Sequence, residues 1–208
     1  MQNNLQAMTL FSVLAFLGTG FLLGVLGLAA VGLWLTRRRP WALGAGAAML
    51  GLAGLYAFAL LGFSWVSREQ VLARGQEKYF CEIDCHLAYA ILDVQKTPPG
   101  RYVVKLRTRF DETTISSHRG NGPLTPNPRR AVVMDERGRQ FEGTVEPGST
   151  PLEQTLRPGE SYTTNLIFDL PAEVRHPRLL LAETFPPTYL LLGHENSPWH
   201  RKTIFRLE

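Results

Sequence analysis

Two long stretches of the chain, residues 8–35 and 41–67, hold apolar and small side chains and no charge at all. Each exceeds the roughly 20 residues a helix needs to cross about 30 Å of hydrocarbon. Neither shows the polar face of a helix packed on a soluble core. The pattern predicts a two-helix transmembrane hairpin within residues 1–67. The connection over 36–40 is so short that the helices must be antiparallel neighbours. Residues 68–77 turn polar and read as a stalk. From Lys78 the period changes to two. Tyr79, Cys81, Ile83, Cys85, Leu87, Tyr89 and Ile91 alternate with Phe80, Glu82, Asp84, His86, Ala88 and Ala90. Tyr102, Val104, Leu106, Thr108 and Phe110 alternate with Val103, Lys105, Arg107 and Arg109. Strict alternation predicts strands with one buried face. Runs at 131–134 and 140–145 flank Asp135-Glu136-Arg137-Gly138, which reads as a hairpin turn. Further runs at 162–168, 179–182 and 203–207 bring the expectation to about seven strands, and no helical period interrupts them. The prediction is an antiparallel β-sandwich over 78–208. Residues 111–130 read as one long polar loop.

Charge sharpens this picture. The chain of 208 residues carries 22 basic and 18 acidic side chains, a net charge of +4. Before Arg68 the only charges are Arg37, Arg38 and Arg39, so nearly all the excess is one triplet between the apolar runs. The folded domain lacks the net basic excess that a nucleic-acid binder needs, which argues against nucleic acid as a partner. Three Arg in the short connection, with no Lys or Arg at the N-terminus, place that connection in the cytoplasm. Both termini are then extracytoplasmic and the protein is multi-pass in the plasma (inner) membrane. Trp34, Trp41 and Trp65 occupy the expected interfacial positions. A cleaved signal peptide fits poorly, because the first run is too long and lacks a basic lead.

The helices also hold ten of the chain's 19 Gly. Gly20 and Gly24 form a GxxxG pair, and Gly44/Ala48 and Ala47/Gly51 repeat the small-xxx-small spacing that lets membrane helices approach closely. Two uses are open: packing the hairpin itself, or docking on another membrane subunit. No Asp, Glu, Lys, Arg or His lies inside either run, which weighs against a proton relay or ion pathway within this chain.

Three segments carry a resemblance. Ala131-Val132-Val133-Met134-Asp135 through Gly138, then Leu156-Arg157-Pro158-Gly159-Glu160-Ser161, then Ile167-Phe168-Asp169-Leu170-Pro171 occur in this order and spacing. They resemble the bacterial membrane-anchored extracytoplasmic Ig-like domains of unknown function, over roughly residues 88–182. The resemblance implies an Ig-like antiparallel sandwich and no catalytic residues. The layout of a two-helix hairpin before an outward β-domain is also similar to cytochrome oxidase subunit II. That family's copper loop lies late in its domain, whereas Cys81 and Cys85 come early, with no Met ligand nearby. The copper centre is therefore not carried over.

The pointed chemistry lies in Cys81-Glu82-Ile83-Asp84-Cys85-His86. Four readings compete. The preferred one is a Cys81–Cys85 disulfide, expected where two Cys share an oxidising compartment. Four positions apart on a straight strand span about 13 Å, and a disulfide needs Cα atoms within about 7 Å. The strand must then break around residues 82–84. The others are two inert buried thiols; a Cu(I) or Zn site using Cys81, Cys85 and His86, with His194, Glu195 or His200 completing it; and covalent haem, which a continuous strand would oppose by facing His86 away from both thiols. His118 and His176 read as solvated loop residues, His194 and His200 as packing or surface groups. Lys105, Arg107 and Arg109 read as the solvated face of one strand. No nucleophile elbow or phosphate loop is present.

The sequence thus predicts a membrane-anchored binding or scaffold module, partnered by the lipid bilayer and by another membrane or envelope protein. No enzyme activity, cofactor or small-molecule substrate is expected. The alternative is a copper-handling or thiol-redox protein using Cys81, Cys85 and His86.

Overall fold

The computed structural model describes residues 2–80, 85–115, 120–127 and 129–208, with the side chains of the first helix described from Leu10 onward. It forms two compact units. One comprises Arg68–Pro186 and Arg201–Glu208 with Met1–Gln6. The other comprises Ala7–Ser67 and Pro187–His200.

Helix α1 spans Gln2–Leu35 and helix α2 spans Arg39–Val66. Both are long and apolar enough to cross a membrane. The connection is shorter than the sequence suggests, because α2 already begins at Arg39. Pro40 sits in its first turn, where a missing N–H costs nothing. Helix α1 stops on a Schellman motif. The Arg38 N–H donates to Leu33 O at 2.8 Å and the Arg37 N–H to Trp34 O at 3.0 Å. Arg37 takes the left-handed position at φ 61, a place that favours glycine. The Arg39 guanidinium lies 5.5 Å from the Trp34 ring centroid.

The strands are β1 (Gln70–Leu72), β2 (Lys78–Phe80), β3 (Leu87–Thr97), β4 (Arg101–Phe110), β5 (Arg129–Met134), β6 (Gln140–Glu142), β7 (Thr144–Val145), β8 (Ser161–Asp169), β9 (Arg178–Glu183) and β10 (Thr203–Arg206). They form two five-stranded sheets, ordered β1-β10-β9-β5-β6 and β2-β3-β4-β8-β7. All pairs are antiparallel except β1 with β10. Between the sheets lies one core. Tyr89, Ile91, Val104, Leu106 and Phe168 come from one side, and Val133, Leu179, Leu181 and Phe205 from the other. Strand β4 follows its sequence pattern, with Tyr102, Val104, Leu106, Thr108 and Phe110 all buried.

Four sequence expectations change. The stalk over 68–77 is partly strand: Gln70, Val71 and Leu72 register with Thr203, Ile204 and Phe205. Its short length hides it, since three residues carry no period. The run over 140–145 is two strands, because the chain leaves one sheet after Glu142 and joins the other at Thr144. The hinge is Gly143, where an added Cβ would collide with the buried Phe168 ring. The long polar loop is pinned at Leu124, which exchanges two backbone hydrogen bonds with Leu156. Finally, Pro187–His200 groups with the helices rather than with the sandwich.

The Gly143 hinge gives a stability test. Overpacking a closed core costs about 1–3 kcal/mol. Gly143→Ala should lower the thermal midpoint of the sandwich, followed by β-sheet circular dichroism of the full chain. An unchanged midpoint would mean that Phe168 yields freely.

Candidate functional site

The run over 78–91 is not one continuous strand. Strand β2 ends at Phe80, β3 begins at Leu87, and the two pair as a hairpin with Phe80 opposite Leu87. Cys81, Glu82, Ile83 and Asp84 lie outside the described residues. Cys85 and His86, which close the turn, are both 3% exposed. Among the described residues no cysteine is a free thiol.

The reversal also resets which side chains point inward. Lys78 and Phe80 are buried, while Tyr79 takes the other face. The Lys78 ammonium donates to Leu181 O at 2.7 Å and Thr203 O at 3.0 Å, so it bridges from one sheet to the other. It lies 4.6 Å from the Phe80 ring centroid, and the Arg129 guanidinium lies 4.3 Å from the same centroid. Phe80 in turn meets Tyr89 edge-on at 5.3 Å. Arg129 registers with Glu183 across the β5–β9 pair, and both are buried. Charged groups this deep persist only when hydrogen-bonded or paired. Alternation alone would have placed none of the three in the interior.

On the outward face of the hairpin a second polar cluster forms. The row Lys105, Arg107 and Arg109 is not simply solvated. Arg109 grips Glu77 with two parallel bonds, Nε to Oε1 at 3.0 Å and Nη2 to Oε2 at 2.8 Å. Arg107 adds a third at 3.1 Å. The Tyr79 hydroxyl donates to Asp111 Oδ2 at 2.6 Å. The other Asp111 oxygen accepts from the Thr113 amide at 3.1 Å and the Thr113 hydroxyl at 2.7 Å. His86 joins through Nδ1, 2.6 Å from Thr114 Oγ1, with its ring stacked 5.5 Å from Phe110. The Asp111 amide closes the set by donating to His86 O at 2.8 Å. Register explains the convergence. Ala88 opposes both Tyr79 and Arg109, so β2, β3 and β4 bring Tyr79 and Arg109 to one face.

The electrostatics are those of a clamp. Bonds from Tyr79, Thr113 and Arg109 outweigh burial and hold the Asp111 carboxyl well below the usual carboxylate range. The Arg109 bond, chiefly, also lowers Glu77 against the opposing effect of burial. Burial first, then the neighbouring carboxylates, pushes the Tyr79 phenol up. Glu77 and Asp111 are thus held as carboxylates and Tyr79 as the phenol.

The remaining histidines are dispersed. His176 is exposed, with Nδ1 3.0 Å from Glu208 and Nε2 3.6 Å from Glu136. His194 Nδ1 accepts from the Asn196 amide at 3.0 Å and so braces a turn. His118 lies outside the described residues. Of the candidate metal set Cys81, Cys85 and His86, the first is likewise outside, and the third already uses Nδ1. Among the described residues no three His, Cys, Asp or Glu side chains converge on a point suited to a metal ion. An open groove of about 480 Å³ runs beside β1, lined by Val71, His176, Pro177, Arg178, Arg206 and Glu208. Its Arg178 is paired with Glu69 at 2.9 Å.

No family model matches the chain, and no curated protein matches it. Among solved structures it is similar to MPT63, a secreted protein from Mycobacterium tuberculosis, at 11% identity and a TM-score of 0.45. The match covers 67% of this chain and 98% of that one.

The clamp makes a pH prediction with a definite sign. Glu77 and Asp111 have folded-state pKa values lowered from the unfolded ones of about 4. Their stabilisation is therefore complete above about pH 4 and is lost as the pH falls below it. Glu77→Gln should cost roughly 1–3 kcal/mol at neutrality and flatten the acid limb. Amide hydrogen exchange of β3 and β4 across that range would show it. An acid limb of unchanged slope in this variant would remove the clamp from the account.

Proposed function

We propose that this chain is a membrane-anchored, extracytoplasmic Ig-like module that binds and scaffolds another membrane or envelope protein. The observation that carries this reading is the unfilled face of helix α1. An added Cβ at Gly20 or Gly24 meets nothing within 4 Å, and the same holds for Gly44 and Gly51. At Gly27 it would meet Met49 at 3.7 Å, so the hairpin packs elsewhere. Small residues that do not serve their own hairpin are the spacing through which a second membrane helix approaches.

The anchoring follows from surface chemistry. Phe21, Leu28, Phe58 and Trp65 stand 71%, 77%, 77% and 89% exposed. Apolar surface on that scale needs hydrocarbon or protein over it. Arg37 supports the orientation. It occupies a left-handed cap that glycine would fill with less strain, so the charge itself has a use there. Cys81 and Cys85 are read as a disulfide closing the β2–β3 turn. Support comes from the chain reversal between Phe80 and Leu87 and from Cys85, which is not a free thiol. The sandwich serves as a rigid platform, locked by the Glu77–Arg109–Asp111 clamp.

Replacing Gly20 and Gly24 with Leu tests the reading. Copurification of membrane partners should fall by tenfold or more, since lost close packing of one or two kcal/mol is already about that factor, while the sandwich still folds. An unchanged partner set with Gly20→Leu and Gly24→Leu, but a set lost with Cys81→Ser or His86→Ala, would favour the metal or redox role instead.

A further inference from the structure

The segment Pro187–His200, between β9 and β10, packs in the same compact unit as the helices. We infer that it is a re-entrant element that enters the outer half of the bilayer beside the helix pair and meets lipid acyl chains through Tyr189 and Leu190. This inference rests on the membrane-anchored reading above.

Its first part has the chemistry of a membrane segment, and His194, Glu195 and His200 follow only in its second part. No charge occurs from Pro186 to Leu192. Leu191 and Leu192 are buried at 6% and 9%, whereas Tyr189 and Leu190 stand 49% and 48% exposed. The segment is a short 3-10 helix over Pro186–Leu190 followed by turns, and backbone other than a continuous α-helix is tolerated at membrane depth only where its polar groups find partners inside the protein. Here three consecutive carbonyls each find a side-chain hydroxyl. Leu190 O accepts from Tyr56 at 2.6 Å, Leu191 O from Ser197 at 2.5 Å, and Leu192 O from Ser12 at 2.7 Å. The buried Asn196 amide donates to Thr188 Oγ1 at 2.9 Å, which closes the segment on itself. Water is not needed at any of these groups.

The depth comes from helix geometry. Tyr56 stands nine residues before Trp65, roughly 14 Å along the α2 axis. With Trp65 at the outer interface and Trp41, 15 residues or roughly 22 Å before Tyr56, at the inner one, Leu190 lies in the outer half of the hydrocarbon layer. From there the chain climbs, since a Cβ at Gly193 would lie 3.9 Å from Phe63, seven residues nearer that interface. Tyr189 and Leu190 are exposed, as are Phe58, Leu61 and Phe63 on α2. A common apolar solvent is the occupant that fits both.

Acyl-chain photolabelling tests this on the wild-type protein. The full chain is reconstituted in phosphatidylcholine vesicles containing a lipid with a mid-chain diazirine, irradiated, and digested with trypsin. Adducts are assigned to residues within the tryptic peptide 179–201. Adducts on Tyr189 or Leu190 at yields comparable to those on the two helices support the inference. Adducts on the helices, with none on residues 187–200, overturn it and leave the anchoring intact. Absence of adducts from the helices too would overturn both.

Discussion

Two helices with apolar side chains on every face set the terms for the rest of this molecule. A surface bearing Phe21, Leu28, Phe58 and Trp65 in the open cannot be left to water. At about 25 cal/mol per Å², covering even one such ring is worth a kcal/mol or more. In the membrane-anchored reading proposed above, the helical form is itself a consequence, because hydrocarbon offers no partner for a free N–H or C=O. The same rule reaches into the 187–200 segment. Its carbonyls at Leu190, Leu191 and Leu192 are each matched by a hydroxyl from Tyr56, Ser197 or Ser12.

The sandwich solves a different problem. Its strands are short, and its β2–β3 hairpin carries Lys78 inward and Tyr79 outward. Lys78 inside, and Glu77 and Asp111 outside, are each held by hydrogen bonds. Lys78 ties the two sheets through backbone carbonyls, and Arg109 ties β4 to Glu77 and Asp111. Such fixed geometry is what the proposed scaffold role requires.

The parts legible in the sequence were those with a sustained period. The helices, β4 and the β5–β6 hairpin needed only runs of like residues, although α1 begins six residues before its expected run and β6 ends at Glu142 rather than at 145. The reversal between Phe80 and Leu87 was legible as a conflict, since thirteen alternating residues make an overlong strand. What escaped was set by tertiary pairing. Three residues at Gln70–Leu72 become a strand only because Thr203–Phe205 lies beside them. Glu77 looked like part of a stalk until register brought Arg107 and Arg109 to it. Gly143 reads as a strand residue until the buried Phe168 ring occupies the place of its side chain. Likewise, residues 187–200 gave no period, and their place beside α1 and α2 rests on two hydroxyls 134 and 180 residues away in sequence.

The central claim is that the helix pair spans a membrane with its Arg-rich connection inside and the sandwich outside. Cysteine accessibility in right-side-out vesicles tests it most directly, in a background with Cys81 and Cys85 replaced by Ala. A cysteine at Val145, an exposed position of β7, should react with an impermeant maleimide at once, and one at Thr36 only after the membrane is permeabilised. Immediate labelling at Thr36, with or without labelling at Val145, would contradict the account.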